Sequence, residues 1–583
     1  MTQRFRGDRA PALRRFVTAL AVAALPAACA SDDLAPGAGG GGDMVTPGRT
    51  LTGNYLAARH ARTSRDDAAA AEFLIAALEK APNDAVLLRR ASLVLVLDGR
   101  VEEAATYGRR LVETDDGTVL THLTIAVDDI RQGRLTEAEA RLAELPESSL
   151  TPFLQPVLRA WTLFGLGRGD EAVAALQPLM NTSAFIPLYN LHAALLNDAA
   201  GDRDAAARHA RTVIDAQETL TLRMVDLLGG VLVRAGRPDE AVALRQRFAA
   251  QKPADGQLVV SLSPPAGSVS ADREIDTPAF GAAEALLDGA GALSRQNTRE
   301  TGLVLGRLGL HLRPDFPVLQ MLVANFLQSY ERLGEANALY AAIDPDSPHY
   351  RQARLNIALN LNQMDRFDEA IETLRAMARG WPDDAEPLID LGDILRRREQ
   401  FREAVEVYDE AVARIGTLEP RHWRLLYARG MALERSQSWP RAEADFLQAL
   451  QFEPDQPFVL NYLGYSWVEQ GRNLEEAQAM IRRAVELRPN DGYIVDSLGW
   501  VYFQLGKYED AVVELERAVE LRPEDPVIND HLGDAYWAVG RQREARYQWR
   551  TALALGPEPE LRVKIETKLQ QGLVREASAD TDD

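Results

Sequence analysis

Small residues recur about every 34 positions along most of the 583-residue chain, and this period constrains the fold more than any other feature. A second small residue follows each of them 12 or 13 positions later. The first-position residues are Ala58, Ser92, Ala126, Ala160, Ala194, Gly229, Ala324, Ala358, Gly392, Gly430, Gly464, Gly499 and Gly533. Such a period indicates stacked supersecondary units, each of which buries its apolar face only against its neighbours. We therefore expect a long surface that binds other proteins, not a catalytic pocket.

The spacing within each unit predicts two packed helices. A glycine or alanine at the first position lets the first helix approach the second closely, and a large residue four positions after the second small residue fills the space between them. In the clearest copy these residues are Gly499, Ala511 and Leu515, and Pro523 ends the second helix. No strand alternation of similar regularity is present, so the sequence predicts an all-α solenoid.

The same copy resembles the tetratricopeptide repeat, whose consensus places Leu-Gly-x-x-Tyr in the first helix and Ala, a large apolar residue, Ala and Pro in the second. The matching residues are Leu498, Gly499, Tyr502, Ala511, Leu515, Ala518 and Pro523, and in the next copy Leu532, Gly533, Tyr536, Ala545, Trp549, Ala552 and Pro557. The resemblance implies a right-handed superhelical solenoid of about 13–14 helix-turn-helix units. It also implies a concave surface lined by the first helix of each unit.

The period predicts two blocks of repeats with an interruption between them. Six repeats that match the consensus weakly are expected at 51–252, and a degenerate repeat is expected at 280–317. Seven repeats that match the consensus more closely are expected at 318–559. The irregular insertion at 253–279 contains a β-branched run and a double proline, which cannot continue a helix. We interpret it as a tolerated insertion, with a hinge or binding element as the alternative. Residues 560–583 are predicted to form a capping helix and an acidic tail.

The first 29 residues have the features of an export signal. An arginine-rich start precedes an apolar stretch from Phe16 to Leu25, and Pro26-Ala-Ala-Cys29 follows. Cys29 is the only cysteine, and the segment resembles the lipobox of bacterial lipoproteins, although that family prefers leucine at the position of Pro26. The resemblance implies that Cys29 is lipidated and anchors the protein to the outer membrane. The alternative is ordinary cleavage after Ala30, which removes Cys29 and leaves a soluble periplasmic protein.

Two further features limit the function. Residues 30–50 are small and polar and are predicted to be a flexible spacer. The net charge of −21 argues against nucleic acid and anionic lipid as main partners. The sequence contains no His-Glu-x-x-His, phosphate-loop or Gly-x-Ser-x-Gly motif, and one cysteine cannot form a Cys-x-x-Cys site. We predict a non-enzymatic protein with no cofactor, metal or small-molecule substrate.

The last three repeats contain the best candidates for partner binding. Their first helices combine aromatic rings, which contribute apolar contact area, with amides and carboxylates that can hydrogen-bond an extended backbone. The predicted partner-binding residues are Phe458, Asn461, Tyr465, Tyr493, Asp496, Trp500, Asp530, Asp534 and Trp537. The alternative is that these aromatic residues form the core between repeats. The acidic residues favour basic or extended neutral segments as ligands.

The whole arrangement resembles repeat lipoproteins of Gram-negative bacteria: an export signal that ends in cysteine, a spacer, and repeats that sharpen into Asn461-Tyr-Leu-Gly-Tyr-Ser-Trp467 and Asp496-Ser-Leu-Gly-Trp500. One type in that group is an adaptor that binds a periplasmic carboxyl-terminal processing protease and delivers cell-wall hydrolases to it. The resemblance therefore implies a protease and cell-wall hydrolases as partners. The alternative function is an assembly factor for envelope machinery, such as secretion, exopolysaccharide export or outer-membrane biogenesis.

Lipidation of Cys29 is tested by the substitution Cys29→Ala. A thiol is required for acylation, so the variant should move from the membrane fraction to the soluble fraction of disrupted cells. Immunoblotting of both fractions measures the change, with Ser31→Ala as the control that keeps the thiol. Unchanged fractionation of Cys29→Ala would contradict lipid anchoring through this residue.

Overall fold

The computed structural model describes residues 45–250, 270–295 and 297–573. Cys29, the signal segment, most of the spacer, residues 253–269 of the insertion and the acidic tail lie outside the described residues. The described chain divides into two compact units at residues 373 and 374. We call residues 45–373 the N-terminal unit and residues 374–573 the C-terminal unit.

The described residues form 29 α-helices and no strand, which confirms the all-α repeat fold. The first six helix pairs are α1 Leu51–Thr63, α2 Asp67–Leu78, α3 Ala85–Asp98, α4 Val101–Val112, α5 Val119–Arg131, α6 Leu135–Ala143, α7 Thr151–Gly165, α8 Gly169–Ala175, α9 Ile186–Ala200, α10 Arg203–Ala216, α11 Leu222–Arg234 and α12 Pro238–Ala249. The remaining helices up to the unit boundary are α13 Pro278–Ala292, α14 Arg299–Leu312, α15 Pro317–Ser329, α16 Leu333–Ala341, α17 Tyr350–Gln363 and α18 Phe367–Gly380, which contains the boundary.

The C-terminal unit continues with five helix pairs and a final single helix. These are α19 Glu386–Arg397, α20 Phe401–Ile415, α21 Trp423–Arg435, α22 Trp439–Phe452, α23 Pro457–Glu469, α24 Leu474–Leu487, α25 Gly492–Gln504, α26 Tyr508–Leu521, α27 Pro526–Ala538, α28 Gln542–Ala554 and α29 Pro559–Gln571. We call the first helix of each pair helix A and the second helix B.

In the last repeats, helix A meets helix B where the sequence places a glycine opposite a large side chain. A Cβ atom on Gly533 would lie 2.4 Å from the ring of Trp549, and one on Gly499 would lie 2.5 Å from Leu515. Both Trp549 and Leu515 are fully buried. The predicted contact between the first small residue and the large residue of helix B is therefore present, and it holds the two helices of a repeat at close distance.

The turn between the two helices also follows from the sequence. Gly506 ends α25 with a φ of +74°, a conformation that a Cβ atom disfavours. The N–H groups of Gly506 and Lys507 donate to the carbonyls of Phe503 and Tyr502, which satisfies the end of the helix. Glu509 and Asp510 then stand in the first turn of α26, near its positive dipole end.

The hairpin formed by α13 and α14 is placed in a way that the period does not predict. Besides stacking on α15, it lies against α3, α5 and α7, which are helices A of the first block. Gly281 of α13 touches the ring of the fully buried Trp161 of α7. The degenerate repeat predicted at 280–317 thus covers part of the surface that the helices A form in the N-terminal unit. We call the surface formed by the helices A of a unit its helix A face.

Polar contacts fix this hairpin in the N-terminal unit. The indole N–H of Trp161 donates to Nδ1 of His192 over 3.0 Å, so the imidazole proton is on Nε2, which lies 3.2 Å from Asp288 of α13. Arg223 of α11 forms a two-bond ion pair with the buried Glu284, at 2.5 and 3.1 Å. These contacts join residues far apart in the chain and satisfy buried polar groups.

Two glycines of α13 provide a matched test of the hairpin position. A Cβ atom on Gly281 would lie 1.9 Å from Trp161, whereas one on Gly291 would have nothing within 4 Å. We expect Gly281→Ala to lower the unfolding free energy of the N-terminal unit by about 1–3 kcal/mol through overpacking. Gly291→Ala should leave it unchanged or raise it by a few tenths of a kcal/mol, up to about 1. Urea unfolding of both variants measures the difference, and equal midpoints would contradict the observed packing.

Candidate partner-binding surface

The predicted partner-binding residues lie on α23, α25 and α27, the last three helices A of the C-terminal unit. Tyr493 is 47% exposed, whereas Asp496, Asp530 and Asp534 are buried. The remaining members are partly buried. The set is therefore divided between groups that solvent reaches and groups that already have partners within the chain.

His531 lies at the centre of the buried group. Its Nδ1–H donates to both carboxylate oxygens of Asp496, at 3.0 and 3.1 Å, because a carboxylate can only accept. Its ring stacks on Trp500 with centroids 4.1 Å apart, and Trp500 stacks on Phe503 at 5.0 Å. The imidazole thus joins α25 to α27 through an ion pair and an aromatic stack.

Asp530 and Asp534 form a second buried group, which is closed by a lysine from α29. Nζ of Lys568 donates to Asp530 at 2.8 and 2.9 Å and to Asp534 at 2.6 Å. The indole N–H of Trp549 donates to the other oxygen of Asp534 at 2.9 Å. A cation of the same chain is therefore bound on the helix A face of the last repeat.

The proximity of these charges changes the pKa of two groups. Burial alone would lower the pKa of His531, but the carboxylates of Asp496, Asp530 and Asp534 outweigh it and raise the pKa. Burial and the neighbouring Asp530 raise the pKa of Asp534 to about 6, despite the opposing effect of Lys568. The cationic side chains of His531 and Lys568 thus face the buried carboxylates of Asp496, Asp530 and Asp534.

Trp537 marks the end of this surface. Its ring lies 5.4 Å from that of Trp549, and the guanidinium of Arg546 stands 5.4 Å from its centroid. Gly572, directly after α29, touches the Trp537 ring so closely that a Cβ atom would lie 2.2 Å from it. The chain after α29 therefore covers Trp537.

The part of the surface on α23 and the start of α25 is more accessible. Phe458 and Tyr493 each lie under an arginine, at 4.8 Å from Arg488 and 5.0 Å from Arg522. Oδ1 of Asn461 is buried and accepts no hydrogen bond from any described residue. The amide oxygen of Asn461 is therefore an acceptor that the described part of the chain leaves unsatisfied.

Tyr465, which is partly buried, and Glu469, which is exposed, lie further along α23. Burial, together with the carboxylates of Glu469 and Asp496, raises the pKa of Tyr465, so its hydroxyl stays protonated. Glu469 is exposed, and one of its oxygens lies 3.3 Å from the indole nitrogen of Trp500. Glu469, His531 and Lys568 are not among the partner-binding residues predicted from the sequence. Lys568 could have been found because the stripe Leu561, Ile565 and Leu569 places it at the edge of an apolar helix face.

The described residues contain neither a candidate metal site nor a candidate membrane-spanning helix. No group of three His, Cys, Asp or Glu side chains in this part of the chain could hold a metal ion. No described helix is both long and apolar enough to cross a bilayer.

Comparison with known proteins identifies the repeat type. Residues 499–540 match a model described as TPR repeat, and residues 389–457 match a model described as tetratricopeptide repeat. The TPR repeat-containing protein PA4667 of Pseudomonas aeruginosa is 27% identical over 184 residues, which are 31% of this chain and 30% of that relative. Residues 389–457 and 499–540 are therefore similar to tetratricopeptide repeats. Such repeats generally act as non-catalytic scaffolds for protein or peptide partners, which supports a protein-binding role.

Some solved structures are similar to this chain at low sequence identity and with low TM-scores. The Cut9–Hcn1 hetero-tetramer of APC/C is 13% identical, with a TM-score of 0.37, and covers 89% of this chain and 96% of that one. A tetratricopeptide repeat protein from Parabacteroides merdae is 18% identical, with a TM-score of 0.35 over 43% of this chain and 96% of that one. YrrB, described as a TPR protein with an unusual peptide-binding site, is 19% identical, with a TM-score of 0.28 over 34% of this chain and 99% of that one.

The ion pair of His531 predicts a pH-dependent contribution to stability. Because the folded state raises its pKa, the stabilisation is fully present below the pKa of the unfolded chain and is lost as pH rises through the folded pKa. We expect His531→Gln to lower the unfolding free energy by about 1.5–3 kcal/mol at about pH 5.5 and by less at about pH 8.5.

His422→Gln is the matched control in the same unit, because burial and Arg421 lower the pKa of His422. Its effect should change with pH in the opposite direction. Urea unfolding at the two pH values measures both variants. The same pH trend for both histidines would contradict the assigned ion pair.

Proposed function

We propose that this tetratricopeptide-repeat chain is a non-enzymatic periplasmic scaffold that binds extended, basic segments of partner proteins along the helix A face of α23 and α25. The observation that carries the proposal is the row of Asn461, Tyr465, Glu469 and Trp500, in which Glu469 is exposed and the other three are partly buried. This row combines an unsatisfied amide oxygen, aromatic rings and an exposed carboxylate.

The corresponding face of the N-terminal unit is less suited to partner binding. The hairpin of α13 and α14 lies against α3, α5 and α7, and its side chains satisfy buried groups such as His192 and Arg223. A partner could reach these helices only by replacing contacts that the chain already makes. The C-terminal unit therefore offers the better partner surface.

The groups on α23 and α25 specify the chemistry of the partner. An unsatisfied amide oxygen at Asn461 costs about 1–3 kcal/mol, which a backbone N–H of an extended segment would recover. The rings of Tyr465 and Trp500 contribute apolar area beside it. Glu469 favours a lysine or arginine in the bound segment and disfavours an acidic one.

The proposed location and partners rest on the N-terminal sequence and on the resemblance to repeat lipoproteins. In this proposal Cys29 is lipidated and holds the scaffold at the outer membrane. The scaffold binds a carboxyl-terminal processing protease and brings cell-wall hydrolases to it as substrates. No step of bond cleavage is assigned to this chain.

Reversal of the charge at Glu469 tests the proposed surface. We expect Glu469→Lys to lower the recovery of the protease or of cell-wall hydrolases from solubilised envelopes by about tenfold, because it places a cation beside a bound basic segment. Glu476→Lys makes the same charge change at an exposed position on helix B and should have little effect.

Co-purification with quantitative mass spectrometry measures the recovery. If wild type recovers neither a periplasmic protease nor a cell-wall hydrolase, the adaptor function is wrong. If both variants recover these proteins as well as wild type does, the helix A face of α23 and α25 is not the binding surface.

A further inference from the structure

Helix α29 differs from the repeat helices in how little of it is buried. Ile565 is its one fully buried residue, whereas α27 buries nine. Leu561 and Leu569 add partial burial against the cluster around Trp549. The main helix contact of α29 is with α28, whereas α27 packs against both α26 and α28. The contacts that hold α29 are therefore fewer than those that hold a repeat helix.

The position of α29 is nevertheless specific, because polar groups of α27 and α28 recognise it. Lys568 binds both Asp530 and Asp534, and Arg546 donates to the backbone carbonyl of Leu569. Gly572 closes the contact on the ring of Trp537. This combination of an apolar stripe, a central cation and a recognised backbone carbonyl is what a groove uses to bind an amphipathic helix.

A cation from α29 stabilises the acidic pair formed by Asp530 and Asp534. Burial raises the pKa of Asp534, and repulsion by the carboxylate of Asp530 on the adjacent turn raises it further, even with Lys568 present. Asp530 and Asp534 occupy the same places in α27 that Asp496 and Trp500 occupy in α25 and that Asn461 and Tyr465 occupy in α23. Lys568 therefore contacts two of the predicted partner-binding positions of the helix A face.

We propose that α29 is a displaceable internal ligand, and that the surface beneath it binds a partner's amphipathic helix that carries a lysine or arginine. The partner helix would have the pattern of α29 itself: apolar residues at the spacing of Leu561, Ile565 and Leu569, with a cation beside the last of them, as at Lys568. The inference rests on the proposed function in one respect, the use of the helix A face for partners. It adds a second ligand class and a means of regulation, since α29 must leave before such a partner binds.

The full-length chain and a labelled synthetic peptide of residues 557–573 test this inference. In wild type the attached α29 competes with the peptide at high effective concentration, so binding should be weak. Lys568→Glu places a third carboxylate beside Asp530 and Asp534 and should release α29. We expect the peptide to bind Lys568→Glu at least tenfold more tightly than wild type, as measured by fluorescence anisotropy.

Three controls make the result specific. Lys564→Glu changes the charge at an exposed position of the same helix and should bind the peptide as weakly as wild type. A peptide with the same Lys568→Glu change should not bind the released groove. Lys568→Met, which keeps the aliphatic stem, should also bind the natural peptide more tightly than wild type, and it replaces Lys568→Glu if circular dichroism shows that variant to be unfolded.

Hydrogen exchange of α29 provides the second measurement. Its amides should exchange faster in Lys568→Glu than in Lys564→Glu. Equal peptide affinity for wild type and both Lys568 variants, or unchanged exchange in α29, would overturn the inference. Failure of the proposed function is distinguishable, because it shows in the recovery of partners by Glu469→Lys and does not change peptide binding to Lys568→Glu.

Discussion

The close packing of a large helix B side chain against a glycine or alanine of helix A is the contact on which the other features of the molecule depend. At Gly533 and Trp549 this contact both joins the helices of the last repeat and fixes the indole, whose N–H then donates to Asp534. A Cβ atom on Gly533 would displace the ring and, with it, the donor. The repeat core and the acidic pair on the helix A face are thus determined by the same packing.

The two units use their helix A faces differently. In the N-terminal unit, α13 and α14 cover α3, α5 and α7, and the contacts of Trp161, His192 and Arg223 show that this face is a satisfied interior. In the C-terminal unit, contacts within the chain satisfy the face around His531 and Lys568, while Oδ1 of Asn461 has no hydrogen-bond donor among the described residues and Glu469 is exposed. In a repeat array, one part of the helix A face can therefore be covered by the chain's own helices, while another part stays available for partner binding.

The sequence predicts the local structure well because a repeat depends on contacts between neighbours. The pairing of Gly499 with Leu515 and of Gly533 with Trp549 follows from spacing alone, and the structure shows both contacts. The period contains no information about pairs such as His192 with Asp288 or Asp534 with Lys568, which are far apart in the chain. For this reason the position of the hairpin and the internal partner of the acidic pair could not be predicted, although the preference of the acidic residues for a cation could. The roles of the predicted residues in binding other proteins stay predictions.

The central claim, that partners bind on the helix A face of the C-terminal unit, is tested most directly by site-specific photocrosslinking in intact cells. A photoreactive phenylalanine analogue at Tyr465 stands on the helix A face of α23, and the same analogue at Tyr547 stands on the exposed side of α28, a helix B. The account predicts a discrete crosslinked partner from position 465 and none from position 547. Crosslinking of the same partner from position 547, with none from position 465, would contradict it.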